Sequence, residues 1–239
     1  MLKNHFFRKG IVAMGGILAF GILFSACKKN DEVVDTPAAG LMAYNLVPDQ
    51  SRVAIALSGN ILQGGALPYT SYTGRYLNVF PGSRVIESFN SDNNQILDST
   101  GYTFDQNKFY SLFVVGSNGA YMNIVTNDNY DSLTASSGNA YVRYINAIPD
   151  SSASTITIGA NGSNIINEQA AFGEVSDFVP VTPGELAVAL SNEGNIDASR
   201  TITVQASKAY TILLTGIPDQ QDPAKAVAIR FVENGTITD

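Results

Sequence analysis

The side chains that could do chemistry in this sequence are carboxylates, tyrosines and one thiol. Cys27 is the only cysteine, and the only histidine, His5, precedes it. From Cys27 to the C-terminus, 239 − 26 = 213 residues hold no His and no Trp, and 11 basic residues stand against 21 acidic ones, a net charge of −10. Imidazole general bases, Ser-His-Asp triads, His-bearing metal sites, zinc fingers and disulfide frameworks all need residues missing from that stretch. No cofactor is expected. A surface of this charge repels phosphate, which argues against nucleic acid as a partner.

Acids are the remaining common catalysts, and a glycosidase sets two of them across a cleft. Asp49 and Asp150 occupy equivalent places, each after a proline, where Asp ordinarily closes a turn through its own backbone. Asp92-Asn93-Asn94 with Asp98, and Asn127-Asp128-Asn129 with Asp131, offer oxygen ligands without the spacing or closing Glu of an EF-hand, so they read as solvated loops and no metal site is expected. A Ser/Lys hydrolase would need a desolvated lysine, but Lys108 and Lys208 begin matching strands and read as solvated. Tyr110 and Tyr210 are expected to bury their rings, as tyrosine corners whose hydroxyls bond to backbone. The most distinctive group is Tyr69, Tyr72 and Tyr76, preceded by Pro68 and interrupted by Gly74, which has no counterpart later in the chain. Flat faces with hydroxyls suit a glycan or another protein, so these three are the candidate ligand-binding residues, with at least one ring expected in solvent.

The elements that must position these residues occur twice. Asn45-Leu46-Val47-Pro48-Asp49-Gln50-Ser51 matches Asn146-Ala147-Ile148-Pro149-Asp150-Ser151-Ser152, 101 residues on. Tyr76 to Gly82 aligns with Phe178 to Gly184, and Lys108 to Gly116 with Lys208 to Gly216, in the same order. Two tandem modules follow, residues 41–133 and 139–239, with a seam near Asp131 to Asn139. Apolar residues recur mostly with period two, as in Leu186, Val188 and Leu190, and the runs are short and bounded by Gly64-Gly65, Pro81-Gly82, Asn118-Gly119 and Pro183-Gly184. About seven strands per module and no amphipathic helix predict an all-β chain of two immunoglobulin-like β-sandwiches.

Ahead of them, Lys3, Arg8 and Lys9 precede the apolar run Ile11 to Phe24, which is too short to cross a bilayer as a helix and reads as a signal peptide over residues 1–26. Phe24-Ser25-Ala26-Cys27 resembles the lipobox of bacterial lipoproteins. That resemblance implies cleavage between Ala26 and Cys27, lipidation of the Cys27 sulfur, and an outer-membrane protein whose membrane partner is reached through its acyl chains. Residues 27–40 then read as the lipidated cysteine and a flexible tether, and the order Lys28-Lys29-Asn30-Asp31-Glu32 is similar to the export signals of Bacteroidetes surface lipoproteins.

Ala140 to Asp150 resembles the opening of the DUF4397 domain, a β-rich module of unknown function in bacterial secreted and cell-surface proteins, and the Phe178 and Tyr210 blocks fit it too. Residues 41–127 resemble it as well, through the internal repeat. The family brings no catalytic residues. The reading is a lipid-anchored, non-enzymatic binding, adhesion or assembly module, with a carboxylate-dependent hydrolase of extracellular glycans or a surface-fibre subunit as alternatives. If Cys27 carries the lipid, Cys27→Ser abolishes labelling by a fatty-acid analogue and leaves the chain uncleaved or soluble; a labelled and normally processed variant overturns the assignment.

Overall fold

The computed structural model describes residues 36–149, 153–192 and 194–238. Residues 1–26, read above as a signal peptide ending at Ala26, lie outside the described residues, as do Cys27 and Asp150. The first module contains β1 (Ala39–Asn45), β2 (Arg52–Leu57), β3 (Asn60–Ile61), β4 (Leu67–Pro68), β5 (Leu77–Val79), β6 (Gly82–Asn90), β7 (Ile96–Phe104), β8 (Phe109–Ser117) and β9 (Ala120–Asn127). The second contains β10 (Ala140–Asn146), β11 (Ser154–Ala160), β12 (Ser163–Ala170), β13 (Val179–Val181), β14 (Gly184–Ser191), β15 (Asp197–Val204), β16 (Lys208–Thr215) and β17 (Ala228–Thr236). The fold is all-β, and the helical turns among the described residues are short 3-10 turns at Tyr130–Ser132 and Ala135–Ser137 on the seam.

Each module is a sandwich of two sheets, and the two share one topology. The first pairs sheet β5-β1-β8-β9 with sheet β3-β2-β6-β7, β4 also bonding β2; the second pairs β13-β10-β16-β17 with β12-β11-β14-β15. β1 runs parallel to β8, as β10 does to β16, and the remaining ladders are antiparallel. Leu41, Val53, Ile55, Ile86, Leu112 and Val114 fill the first core; Val142, Ile156, Leu186, Val188, Ile212 and Leu214 fill the second. More strands occur than the expected seven per module because the edge strands β3, β4, β5 and β13 are two or three residues long, too short to leave a legible alternation. β1 also takes Ala39 and Gly40, two residues expected in the tether.

The repeated motifs do local work. Asn45 accepts from the Val47 N–H at 3.0 Å and donates to the Leu67 carbonyl at 2.9 Å, and Asn146 does the same with Ile148 and Ala170 at 3.1 and 2.9 Å. Buried amides that satisfy backbone on two strands fix where β1 and β10 end. Both tyrosine corners form: the Asp105 N–H donates to the Tyr110 hydroxyl at 3.0 Å, and the Gln205 N–H to that of Tyr210 at 3.1 Å. Asn118 and Gly119 take φ of 53° and 88°, the left-handed pair of a tight hairpin between β8 and β9. Asp49 reaches across to this hairpin, accepting from the Asn118 N–H at 2.7 Å and the Tyr121 hydroxyl at 3.0 Å.

Gly116 and Gly216 lie near the ends of matching strands with φ of 114° and 110°, and a Cβ at either would sit 2.1 or 2.2 Å from the carbonyl oxygen of Ala120 or Ala226. Neither backbone can yield without breaking the adjoining ladder. Gly116→Ala or Gly216→Ala should therefore cost at least about 2 kcal/mol in denaturant unfolding, whereas Gly101→Ala, at a site with open space around it, should change stability by less than about 0.5 kcal/mol.

Candidate functional site

β1, β8, β10 and β16 are buried on almost every residue instead of every second one. A strand buried on alternate residues has one face in water; these have none, because their outward faces meet. Met42, Tyr44, Leu46, Phe113 and Val115 of the first module pack with Ile145, Ala147 and Leu213 of the second in one cluster.

Within that contact lies a buried ion pair. Arg143, on the outward face of β10, donates to Asp128 at 2.6 Å, to the Ser111 hydroxyl at 2.7 Å and to the Thr211 hydroxyl at 3.0 Å. Its guanidinium also lies 4.4 Å from the centre of the Phe178 ring and 5.7 Å from that of Phe113. Both charges are almost fully shielded, with side-chain exposures of 2% and 0%. Asp128 accepts further from Ser111 at 2.8 Å and from the Tyr76 hydroxyl. The expectation that Asn127-Asp128-Asn129 is a solvated loop is thus corrected for Asp128: a cation one module away draws the carboxylate inward. Across the same contact, Asn234 of β17 accepts from Thr211 at 2.7 Å and donates to the Tyr44 hydroxyl at 3.0 Å, which itself donates to the Met42 sulfur. The two arrangements correspond: Ser111 with Asp128 in one module, Thr211 with Asn234 in the other, each reaching the partner module's first strand.

The three candidate tyrosines all serve this contact. Tyr72 stacks on Tyr44 with ring centres 5.5 Å apart, and Tyr76 bonds Asp128 and Tyr130. Burial raises the pKa of the Tyr69 hydroxyl, and Thr215, Gly216 and Arg230 of the second module oppose that rise. All three are half-buried, Tyr72 and Tyr76 against the apolar cluster shared by the two modules. Burial, then the Asp128 charge, pushes the Tyr76 hydroxyl well above the usual phenol range. Burial pushes Tyr130 up to about 12. Both are protonated at neutral pH, Tyr76 as the donor to Asp128 and Tyr130.

Where the docked faces part, a cleft of about 540 Å³ opens. Tyr76, Phe109 and Tyr130 form an edge-to-face aromatic wall, with ring centres 5.0, 5.8 and 5.5 Å apart, and Asp131, Leu133 and residues 234–238 line the rest. Gly40 makes room for the wall: a Cβ there would lie 2.5 Å from Phe109. Phe109 is 41% exposed, an open apolar ring among polar neighbours. Asp131 is ion-paired with Lys108, and Lys208 pairs with Glu233 at 2.8 Å, so both repeated lysines sit at the surface in ion pairs. Of the residues singled out in the sequence, only Tyr76 and Asp131 reach this cleft; Phe109 and Tyr130 were not singled out. No group of three or more His, Cys, Asp or Glu side chains able to hold a metal occurs among the described residues.

Fold and contact together define a tandem β-sandwich protein whose two modules are joined face to face. The chain belongs to the family described as a domain of unknown function, DUF4397, whose model matches residues 39–153 and 140–234. No curated protein matches it. Among solved structures it is similar to a family 26 carbohydrate-binding module from Eubacterium rectale Amy13K in complex with maltoheptaose, at 10% identity and a TM-score of 0.25, covering 81% of this chain and 96% of that one. It is also similar to the tip fimbrial protein Mfa3 from Porphyromonas gingivalis, at 10% identity and a TM-score of 0.28 over 83% and 99% of the chains. A putative cell adhesion protein from Bacteroides uniformis stands at 9% identity and a TM-score of 0.26, over 84% and 99%.

The Arg143–Asp128 pair supplies a stability test. Removing one partner leaves a buried charge uncompensated, so Asp128→Asn and Arg143→Met should each cost about 3–5 kcal/mol. The double variant recreates the uncharged Met42 and Asn234 pattern and should lose clearly less than the sum, as measured by a denaturation double-mutant cycle.

Proposed function

We propose that the protein is a non-enzymatic binding component of the bacterial cell surface, held on the outer membrane through Cys27, and that the cleft between its modules takes a glycan. The aromatic wall of Tyr76, Phe109 and Tyr130 beside polar backbone and side chains carries this reading. Sugar rings present apolar C–H faces edged by hydroxyls, and a flat ring beside hydrogen-bonding groups satisfies both at little cost in rotamer entropy. The pocket is built from both modules, so it exists only when they are docked, and its walls are fixed by the buried contact behind them. A carboxylate hydrolase is less well supported, because the two acids nearest the aromatic wall are each tied to a base: Asp131 to Lys108 and Asp128 to Arg143. A general acid and its partner carboxylate need to be free to exchange protons with substrate.

Phe109 is the ring to remove, since it is the most open of the three and its loss leaves the Tyr76 bond to Asp128 intact. Phe109→Ala should weaken glycan capture by about 1–3 kcal/mol, the range for an aromatic anchor, with an unchanged melting profile. Glycan-array screening of wild type and variant, followed by calorimetry on any hit, decides it. Capture of no glycan by the wild type, or equal affinity in the variant, overturns the reading.

A further inference from the structure

The first module carries an apolar edge that the cleft does not use. Phe80 and Ile61 are 67% and 63% exposed, more than the other exposed large apolar side chains of the described residues. They line one groove of about 300 Å³, floored by Leu57, Leu62 and Val79 and edged by Arg84. The groove lies open because β3 and β4 are short and separated by Gly64-Gly65, where the second module has the continuous eight-residue β12. At the corresponding positions the second module is polar: Thr182 precedes its Pro183-Gly184 turn region where Phe80 precedes Pro81-Gly82, and Asn164 follows its β11–β12 turn where Ile61 follows that of β2–β3. The apolar edge is therefore a property of the first module, not of the repeat.

Two facts identify what covers it. On its other side Phe80 forms a smaller groove with Thr36, Pro37 and Ala38, so the chain enters the fold beside this ring. Only the eight residues Lys28 to Asp35 separate Thr36 from Cys27, a reach of at most about 30 Å. Charge points the same way. In a chain of net charge −7, residues 50–86 hold Arg52, Arg75 and Arg84 and no acid. Arg84 donates to the carbonyls of Phe80 and Pro81 at 3.3 and 3.1 Å, which places its cation next to the exposed ring. No carboxylate lines either groove.

We infer that Phe80 and Ile61 insert into the lipid interface while Arg84 meets headgroup phosphate, so that the first module rests on the bilayer to which Cys27 anchors it. Aromatic and aliphatic side chains at headgroup depth beside a cation are the usual footing of a peripheral protein, and a short tether keeps the surface at high effective concentration. The inference rests on the lipid anchor but not on the glycan reading.

The sequence offers its own probes. The chain has no Trp, so Phe80→Trp is a unique fluorophore from Cys27 onward, and Cys27 is a unique thiol for coupling residues 27–239 to a maleimide lipid in phosphatidylethanolamine–phosphatidylglycerol vesicles. Chemical coupling separates this test from whether cells lipidate Cys27, which the fatty-acid labelling reads. On vesicles, Phe80→Trp emission should shift to the blue and be lost to acyl-brominated lipid, while Thr182→Trp in the second module should do neither; Arg84→Glu in the Phe80→Trp background should reverse the shift. Emission from Phe80→Trp that is the same on vesicles as in solution, or equal quenching at both positions, overturns the inference.

Discussion

A charge buried between two folded modules sets the terms for everything around it. Arg143 and Asp128 are removed from water, and the desolvation of both is offset only because every donor and acceptor near them finds a partner: Ser111, Thr211, Tyr76 and the faces of Phe113 and Phe178. Such a pair does not tolerate sliding. Sliding one face along the other by a residue's length would carry Arg143 away from Asp128 and leave both buried charges unpaired. The contact thus fixes one relative placement of the modules, and the cleft owes its shape to that placement.

The division of labour between the sheets follows from it. Sheet β12-β11-β14-β15 keeps one face in water and alternates, as Leu186, Val188 and Leu190 show; sheets β5-β1-β8-β9 and β13-β10-β16-β17 have no free face at their centres. The start of β1 and the cleft are close neighbours on this second kind of sheet, since Gly40, two residues after Ala38, lies against Phe109. Whatever the cleft binds is bound near the point where the chain leaves the fold.

Much of this was legible in the sequence, and the gaps have definite causes. The tyrosine corners and the Asn118-Gly119 hairpin are local devices whose partners lie a few residues away or in the same hairpin, so residue type and spacing suffice to read them, whereas the repeated Asn45 and Asn146 also reach carbonyls 22 and 24 residues on. The docking of the modules depends on side chains such as Ser111 and Arg143, 32 positions apart in sequence, and no periodicity reports that. One signal was present: Phe113-Val114-Val115 and Ile212-Leu213-Leu214 are apolar without alternation, which marks strands covered on both faces. Tyr69, Tyr72 and Tyr76 stand out in the sequence because the second module has no counterpart to them. Their asymmetry between modules, first read as recognition of an outside partner, also arises where one half of a protein must fit the other. Asp128 carried no such mark, because an acid between two asparagines is the ordinary composition of a turn.

The correspondence of Ser111 and Asp128 with Thr211 and Asn234 has a bearing on assembly. A face built from one repeat is in principle complementary to a copy of itself, and two chains could exchange modules through it. Here the two halves have drifted apart in charge. The first face offers an acid and Met42; the second offers Arg143 and an amide. Homotypic pairing of two first faces would bury Asp128 against thioether, and pairing of two second faces would bury Arg143 against Asn234, each with an ion unmatched. Only the pairing of unlike faces is neutral, and the seam makes that pairing intramolecular. The charges therefore disfavour association through like faces and leave exchange of unlike faces between chains opposed by the seam, which keeps each face beside its own partner.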